Sequence, residues 1–168
     1  FLAYIATIAV PWQVYMVPQF MMMRGMGLAD THLAIIFLQA FSAFGVFMMK
    51  QFSENIPSSL LEAARIDGMG LFRTFFSIVL PNSKAVCISA GLVLFVNQWE
   101  SFLWPILVTR SQDMYTVQIA LSNFSTQYTQ NWNQIFAGSL IAFLVPVAII
   151  LPLQKFFTAG LTSTGAKE

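Results

Sequence analysis

Charged residues are scarce in this chain: 9% of its 168 residues are Asp, Glu, Lys or Arg, against about 25% in an average soluble domain. Hydrophobic residues make up 57%, and the mean hydropathy is +0.70. This composition excludes an ordinary water-soluble domain and predicts a protein embedded in membrane lipid. The formal net charge of +1 excludes the strongly basic surface that a nucleic-acid partner would require.

The chain also lacks the residues from which most catalytic and metal sites are built. Cys87 is the single cysteine, so no internal disulfide can form, and its apolar neighbours indicate a small core residue. The sequence shows no nucleophile–base pair, no metal-ligand cluster and no close pair of carboxylates. We therefore expect no enzymatic activity and no cofactor or metal in this chain.

Long apolar stretches account for most of the sequence. A membrane-spanning helix needs about 20 apolar residues, and backbone groups in lipid must be hydrogen-bonded within the segment, so we expect helices rather than strands. This predicts an all-α polytopic transmembrane bundle of about four spans, forming one domain over residues 1–168. Because the chain opens on Phe1 inside an apolar stretch, we expect it to be truncated at its N-terminus. The predicted spans are residues 1–23, 33–49, 85–108 and 135–153.

The distribution of Lys and Arg predicts the orientation of these spans. Basic residues are enriched in the cytoplasmic loops of membrane proteins. The insert 50–84 and the C-terminal tail together hold six basic residues, whereas the opposite connections hold only Arg24 and Arg110. We therefore predict that the insert and the C-terminus lie in the cytoplasm.

The mostly polar insert 50–84 predicts a helix–turn–helix between two spans. Ser59 followed by Glu62 is the pattern of a capping box, in which the serine caps the helix and the acid bonds back to it. Gly68 is predicted to end this helix in the left-handed conformation. A second helix should end at Pro81, with its apolar side chains packed mostly on the chain's own bundle.

The insert also contains a regular series of residues: Glu62-Ala63-Ala64, then Gly68 after three residues, then Ile78 and Leu80-Pro81 after nine more. This spacing resembles the EAA loop of the permease subunits of ABC importers. The resemblance implies that the insert docks on an ATP-binding cassette ATPase, where ATP is bound and hydrolysed. Alternatively, Glu62 serves only as the capping acid. The residues implied to couple the ATPase to the permease are Glu62, Ala63, Ala64, Asp67, Gly68, Ile78, Leu80 and Pro81.

Three further segments resemble the maltose-type and glycerol-phosphate-type permeases among these importers: residues 97–105, 115–121 and 154–162. Such subunits commonly have six helices, so the resemblance implies two helices ahead of this sequence. It also implies a second permease subunit that completes the pore. A periplasmic solute-binding protein would deliver a sugar-like solute to the outer loop 109–134. The tail departs from the family pattern in ending at Glu168.

Polar residues inside the third apolar stretch are candidates for the substrate path. A charged side chain near the bilayer centre costs about 2.5 to 3.5 kcal/mol on insertion scales, so it should face the bundle interior or a water-filled cavity. Sugar recognition requires hydrogen-bonding groups beside aromatic rings. The alternative is that the polar groups join helices to one another, which is also our interpretation of Gln39. The candidates are Asn97, Gln98, Trp99, Glu100 and Trp104.

Together these features predict a permease subunit of an ATP-driven importer in a bacterial-type inner membrane. The solute is expected to be a sugar carried from the periplasm to the cytoplasm. One alternative is a permease for a polyol or a phosphorylated glycerol. Another, from a different functional class, is a non-transporting membrane scaffold whose insert recruits a soluble partner.

Overall fold

The computed structural model describes residues 1–54, 56–124 and 131–165, with side chains described as far as Gln154 except for Leu2. Every regular element within these residues is helical, which confirms the predicted all-α class. Short 3-10 turns cover Thr7–Ala9 and Gln112–Met114. The helices are α1 Leu2–Ala6, α2 Trp12–Gly25, α3 His32–Ile36, α4 Ala43–Ser53, α5 Ser58–Ile66, α6 Leu71–Thr74, a π-helix at Phe75–Val79, α7 Leu80–Asn82, α8 Lys84–Trp99, α9 Leu103–Val108, α10 Val117–Asn123 and α11 Trp132–Gly165.

The chain forms two compact units. The first comprises residues Phe1–Ser42 and Phe95–Ile149, and the second comprises Ala43–Leu94 and the residues from Ile150 onward. In the second unit, α8 carries a row of buried residues, and the Cys87 Sγ lies 3.7 Å from the Met49 Sδ of α4. This half-buried position of Cys87 agrees with a packing role.

The core of the first unit forms where α2 and α3 pack on α9. Met23, Ala34, Trp104 and Val108 are at most 1% exposed, and Trp12, Met16 and Phe20 of α2 pack around them. The Trp104 indole Nε1–H donates to the Ala34 carbonyl at 2.9 Å, so the one polar group of this side chain is satisfied inside the core. α10 lies close to α11 at Gly138. A Cβ added to this glycine of α11 would lie 2.5 Å from Cδ2 of Leu121 in α10.

A loop contact joins the start of α3 to the end of α9. Asp30 adopts a positive φ of 60°, and its Oδ1 accepts the backbone N–H groups of Arg110 at 2.7 Å and Ser111 at 3.0 Å. These backbone donors lower the pKa of the Asp30 carboxyl, because they stabilise its charged form. Thr31 then caps α3 by accepting the Ala34 N–H at 3.2 Å.

The structure confirms one of the predicted spans as a continuous helix. The segment Trp132–Gln154 of α11 has 23 residues and is long and apolar enough to cross a bilayer. The segments Leu71–Asn82 and Lys84–Trp99 meet the same criterion only when taken together, and they are bent by 73°. The expected count of four spans is therefore not confirmed within the described residues, where one helix qualifies, or two if the bent pair is a single span.

Proline accounts for one of the breaks in the other predicted spans. Stretch 1–23 is divided at Val10, whose extended ψ of 120° is the conformation favoured before a proline such as Pro11. Stretch 85–108 is divided after Trp99, and α9 begins at Leu103 with Pro105 in its first turn, where a proline is tolerated because its N–H would have no partner within the helix. Stretch 33–49 is interrupted between Ile36 and Ala43, where the local sequence supplies neither proline nor glycine.

Candidate functional site

The first candidate site is the elbow, which we define as residues 58–82 from α5 through α7. Its first helix begins at Ser58, one residue before the serine that was predicted to cap it. The preceding Pro57 already has a helical φ of −57°, and its carbonyl accepts the Leu60 N–H at 3.1 Å. No side chain caps this helix, so the predicted capping box of Ser59 and Glu62 is wrong.

The turn of the elbow confirms the conformation predicted for Gly68. Its φ is +74°, its N–H donates to the Arg65 carbonyl at 3.0 Å, and the Met69 N–H donates to the Ala64 carbonyl at 2.9 Å. These two bonds define a Schellman motif, which satisfies carbonyls at the end of α5. A Cβ at Gly68 would meet nothing within 4 Å, so only the backbone conformation requires glycine.

The second arm of the elbow continues past Pro81, which corrects the prediction that it ends there. It runs from Leu71 to Asn82 through the π-helix Phe75–Val79. A proline cannot donate to the carbonyl four residues before it, and its ring clashes with that carbonyl in an α-helix. The wider π turn immediately before Pro81 accommodates both effects, so the chain turns only after Asn82.

The elbow presents a charged and apolar surface. Glu62 and Ala63 are exposed, whereas Ala64 is buried, and the Glu62 carboxylate has no ion pair among the residues the structure describes. Large apolar side chains flank the turn: Ile66 is 86% exposed, Leu71 83% and Phe72 84%. The prediction that the second arm packs mostly on the chain's own bundle is therefore wrong for Leu71 and Phe72.

The remaining coupling candidates lie further along the elbow. Asp67 and Pro81 are exposed, Leu80 is 38% exposed, and Ile78 is half-buried. Leu71, Phe72, Phe75 and Phe76 occupy positions i, i+1, i+4 and i+5, so they share one side of the helix, and all four are exposed. Apolar surface next to charged residues is typical of a protein interaction site.

The second candidate site is a cleft in the first unit, with a volume of about 250 Å³. Its polar groups come from three segments that are distant in sequence, and the Gln98 Nε2–H donates to the Gln39 Oε1 at 3.0 Å. None of the described side chains that line it is charged. The cleft is lined by Ile35, Ile36, Gln39, Ala40, Gln98, Ser101, Trp104, Pro105 and Thr116.

Two of the five substrate-path candidates line this cleft, namely Gln98 and Trp104. Asn97 and Glu100 are exposed but do not line it. The Trp99 Nε1–H donates to the Ala142 carbonyl of α11 at 3.0 Å, which fixes the end of α8 on that helix. Trp99 therefore packs between elements instead of lining the cleft.

Sequence reasoning missed Ser101 and Thr116 as lining residues and assigned Gln39 only to helix contacts. Thr116 directly precedes α10 but makes no capping bond, and its Oγ1 is buried without a hydrogen-bond partner in the described part of the chain. No local pattern marks these residues, although Gln39 is a polar residue inside an apolar stretch. Across residues 1–54, 56–124 and 131–165, no three His, Cys, Asp or Glu side chains are grouped to hold a metal.

Comparison with known families and proteins gives a match over nearly the whole chain. Residues 2–162 match the family described as "Binding-protein-dependent transport system inner membrane component". The chain is 34% identical over 167 residues to the arabinooligosaccharides transport system permease protein AraQ of Halalkalibacterium halodurans, which covers 99% of this chain and 60% of that protein.

Two other relatives carry different solute names. The lactose transport system permease protein LacG of Rhizobium radiobacter is 31% identical over 155 residues, which is 92% of this chain and 57% of that protein. The sn-glycerol-3-phosphate transport system permease protein UgpE of Rhizobium meliloti is 34% identical over 160 residues, which is 94% of this chain and 57% of that protein. The chain thus spans between 57% and 60% of the length of these relatives.

Proposed function

This chain belongs to the family of binding-protein-dependent transport system inner membrane components, and we propose that it forms part of the transmembrane permease subunit of an ATP-driven importer. Its solute is a sugar, taken from a periplasmic binding protein and released into the cytoplasm. The similarity to permeases named for arabinooligosaccharides and for lactose supports this solute class. The relative named for sn-glycerol-3-phosphate keeps a phosphorylated glycerol as the alternative.

The elbow is the docking surface for an ATP-binding cassette ATPase in this proposal. The observation that carries it is the exposed side of the elbow, where Glu62 lacks an ion pair among the described residues and Ile66, Leu71 and Phe72 are each more than four-fifths exposed. A partner that covers these side chains gains apolar burial and can pair with the carboxylate. ATP is hydrolysed on that partner, and the elbow transmits its movement to the permease.

The membrane arrangement follows from this docking role. The elbow and the C-terminus lie on the cytoplasmic side of a bacterial-type inner membrane, where the ATPase has access to ATP. A second permease subunit completes the pore, and the loop 109–134 faces the binding protein. Helices that are broken at proline can still cross a bilayer where neighbouring protein satisfies the freed backbone groups.

The test is solute uptake by the complete importer in proteoliposomes, with the full-length subunit, its partner permease, the ATPase and the binding protein. The solutes are an arabinose oligosaccharide, lactose and glycerol 3-phosphate. We expect ATP-dependent uptake of at least one sugar. Replacing Phe72 with Ala should reduce both uptake and ATPase recovery, whereas Phe41→Ala, at a side chain that is 71% exposed in the other unit, should leave both unchanged.

Uptake without ATP would contradict the importer assignment. ATPase binding with no uptake of any solute by the wild-type complex would support the scaffold that recruits a soluble partner. Uptake of glycerol 3-phosphate alone would leave the importer assignment intact and change the solute class.

A further inference from the structure

We propose that Trp99 is a positioning residue for transport, because its indole N–H takes the place of the backbone N–H that Pro146 lacks in α11. The inference rests on the proposed importer function and adds the residue through which a movement of α8 is transmitted to α11. It gives Trp99 a role other than the aromatic surface for a solute that the sequence suggested.

α11 contains a gap in its backbone hydrogen bonding. The helix continues through Pro146, although a proline cannot donate to the carbonyl four residues before it, which here belongs to Ala142. Both residues lie in the segment Trp132–Gln154, which is long and apolar enough to cross a bilayer. Because no water is present in the bilayer core, a carbonyl freed by proline has to be satisfied by neighbouring protein.

The Trp99 side chain satisfies this carbonyl. Its Nε1–H donates to the Ala142 carbonyl at 3.0 Å, so the indole supplies the donor that Pro146 cannot. Trp99 is half-buried, and the centroid of its ring lies 5.8 Å from that of Phe95, one turn earlier in α8. The ring therefore packs on its own helix, while its one polar group bonds to α11. The bond joins the two helices at the point where the hydrogen bonding within α11 is interrupted.

The main chain of Trp99 is held by a third helix. α8 ends at Trp99, so the carbonyl of this residue has no donor within the helix. The Gln118 Nε2–H of α10 donates to it at 3.1 Å. Trp99 thus accepts a bond from α10 through its backbone and donates one to α11 through its side chain, and this arrangement fixes the end of α8 on both helices.

The place of α8 in the chain gives these bonds their role in transport. α8 begins at Lys84, two residues after the elbow ends at Asn82. An ATPase that moves the elbow therefore moves α8 first, and the bond from Trp99 transmits that movement to α11. A hydrogen bond weakens steeply away from its preferred distance and angle, so the bond constrains the position of α11 at Ala142.

The experiment measures solute uptake per assembled complex by the complete importer, together with the ATP hydrolysed per solute imported. Trp99→Phe keeps an aromatic ring and removes the N–H. We expect uptake to fall about 3- to 10-fold, the equivalent of one lost hydrogen bond, and the ATP used per solute to rise. Recovery of the ATPase should stay at the wild-type level, because the elbow is unchanged.

Pro146→Ala provides the decisive rescue, because it supplies the backbone N–H that the Ala142 carbonyl lacks. Uptake by the variant that combines Trp99→Phe with Pro146→Ala should lie within about twofold of Pro146→Ala alone. Pro152→Ala is the matched control. It supplies an N–H to the Ala148 carbonyl of the same helix, to which Trp99 does not bond, so it should not rescue Trp99→Phe.

The half-life of the folded subunit in detergent is measured for the same variants. It should shorten in Trp99→Phe and recover only with Pro146→Ala, including when Trp99→Phe alone does not assemble. Wild-type uptake in Trp99→Phe, or an equal loss with and without Pro146→Ala, would overturn the inference and leave the importer assignment standing. Rescue by Pro152→Ala would overturn it as well, since any proline removed from α11 would then have the same effect. Uptake of no solute by the wild-type complex would instead contradict the proposed function.

Discussion

The large apolar side chains of the elbow are exposed to solvent, whereas the tryptophan at the wall of the cleft is buried. Ile66, Leu71 and Phe72 of the elbow are 86%, 83% and 84% exposed, whereas Trp104 at the wall of the cleft is 1% exposed. An exposed apolar side chain adds little to folding until a partner covers it, whereas a buried one stabilises the fold itself. Substitutions in the elbow should therefore weaken assembly, and substitutions at the cleft wall should weaken folding.

The largest expected effect is on folding and comes from Trp104→Ala. The change removes a buried aromatic ring and its bond to the Ala34 carbonyl, so we expect the free energy of unfolding in detergent to fall by about 3 to 5 kcal/mol. Trp132→Ala is the control, because Trp132 is 55% exposed. Equal losses of stability in the two variants would contradict the contrast between buried and exposed positions.

A smaller effect is expected at the turn of the elbow from Gly68→Ala. The positive φ of +74° penalises any residue with a Cβ by roughly 1 to 2 kcal/mol, so ATPase affinity should fall about 5- to 30-fold. Gly70→Ala is a matched control, because its φ of −71° suits alanine and neither added Cβ meets an atom within 4 Å. The measurement is ATPase affinity by surface binding, with thermal unfolding as the check on folding.

If Gly70→Ala weakened ATPase binding as much as Gly68→Ala, the left-handed turn would not be what positions the second arm.

The smallest expected effect concerns the loop contact of Asp30. Because the Arg110 and Ser111 N–H groups lower the folded-state pKa of Asp30 below its ordinary value of 3.8, the unfolded state binds more protons in that pH range. The stabilisation is therefore present above about pH 4 and is lost as the pH falls through the folded-state pKa. Asp30→Asn should melt earlier than wild type at neutral pH, and the difference should shrink in acid.

Asp113→Asn is the control for this measurement, because Asp113 is exposed and its side chain makes no hydrogen bond in the described residues. A pH-independent difference between wild type and Asp30→Asn would mean that the carboxylate charge does not contribute to the loop contact.

The elbow could be predicted from the sequence because its determinants are local. The left-handed turn depends on Gly68 and on bonds within five residues of it, and the spacing from Glu62 to Pro81 lies in one short segment. Two details of the prediction for the elbow were wrong. α5 starts directly after Pro57, and the second arm continues through a π turn past Pro81. Composition and periodicity do not reveal such adjustments.

The cleft could be predicted only in part, because tertiary packing brings its residues together. Gln98 and Trp104 stood out as a polar and an aromatic residue in an apolar stretch, but Gln39 and Thr116 are separated from them in sequence. Asn97 carries an amide, as Gln98 does, yet both Asn97 and Glu100 lie outside the cleft. The position at which α8 ends determines which of its side chains line the cleft. The polarity of the residues in this stretch does not indicate where the helix ends.

The measurement that tests the account most directly is recovery of the ATPase with the purified permease complex for Glu62→Gln and Glu54→Gln. Both changes replace an exposed glutamate of insert 50–84 with its uncharged isostere, but Glu54 already pairs with Lys50 within the chain, whereas Glu62 has no such partner in the described residues. Glu62 does not cap its helix, so its loss should leave the fold unchanged. We predict that ATPase recovery and uptake fall strongly for Glu62→Gln and stay at the wild-type level for Glu54→Gln. Wild-type recovery and uptake in Glu62→Gln would contradict the docking role of the elbow.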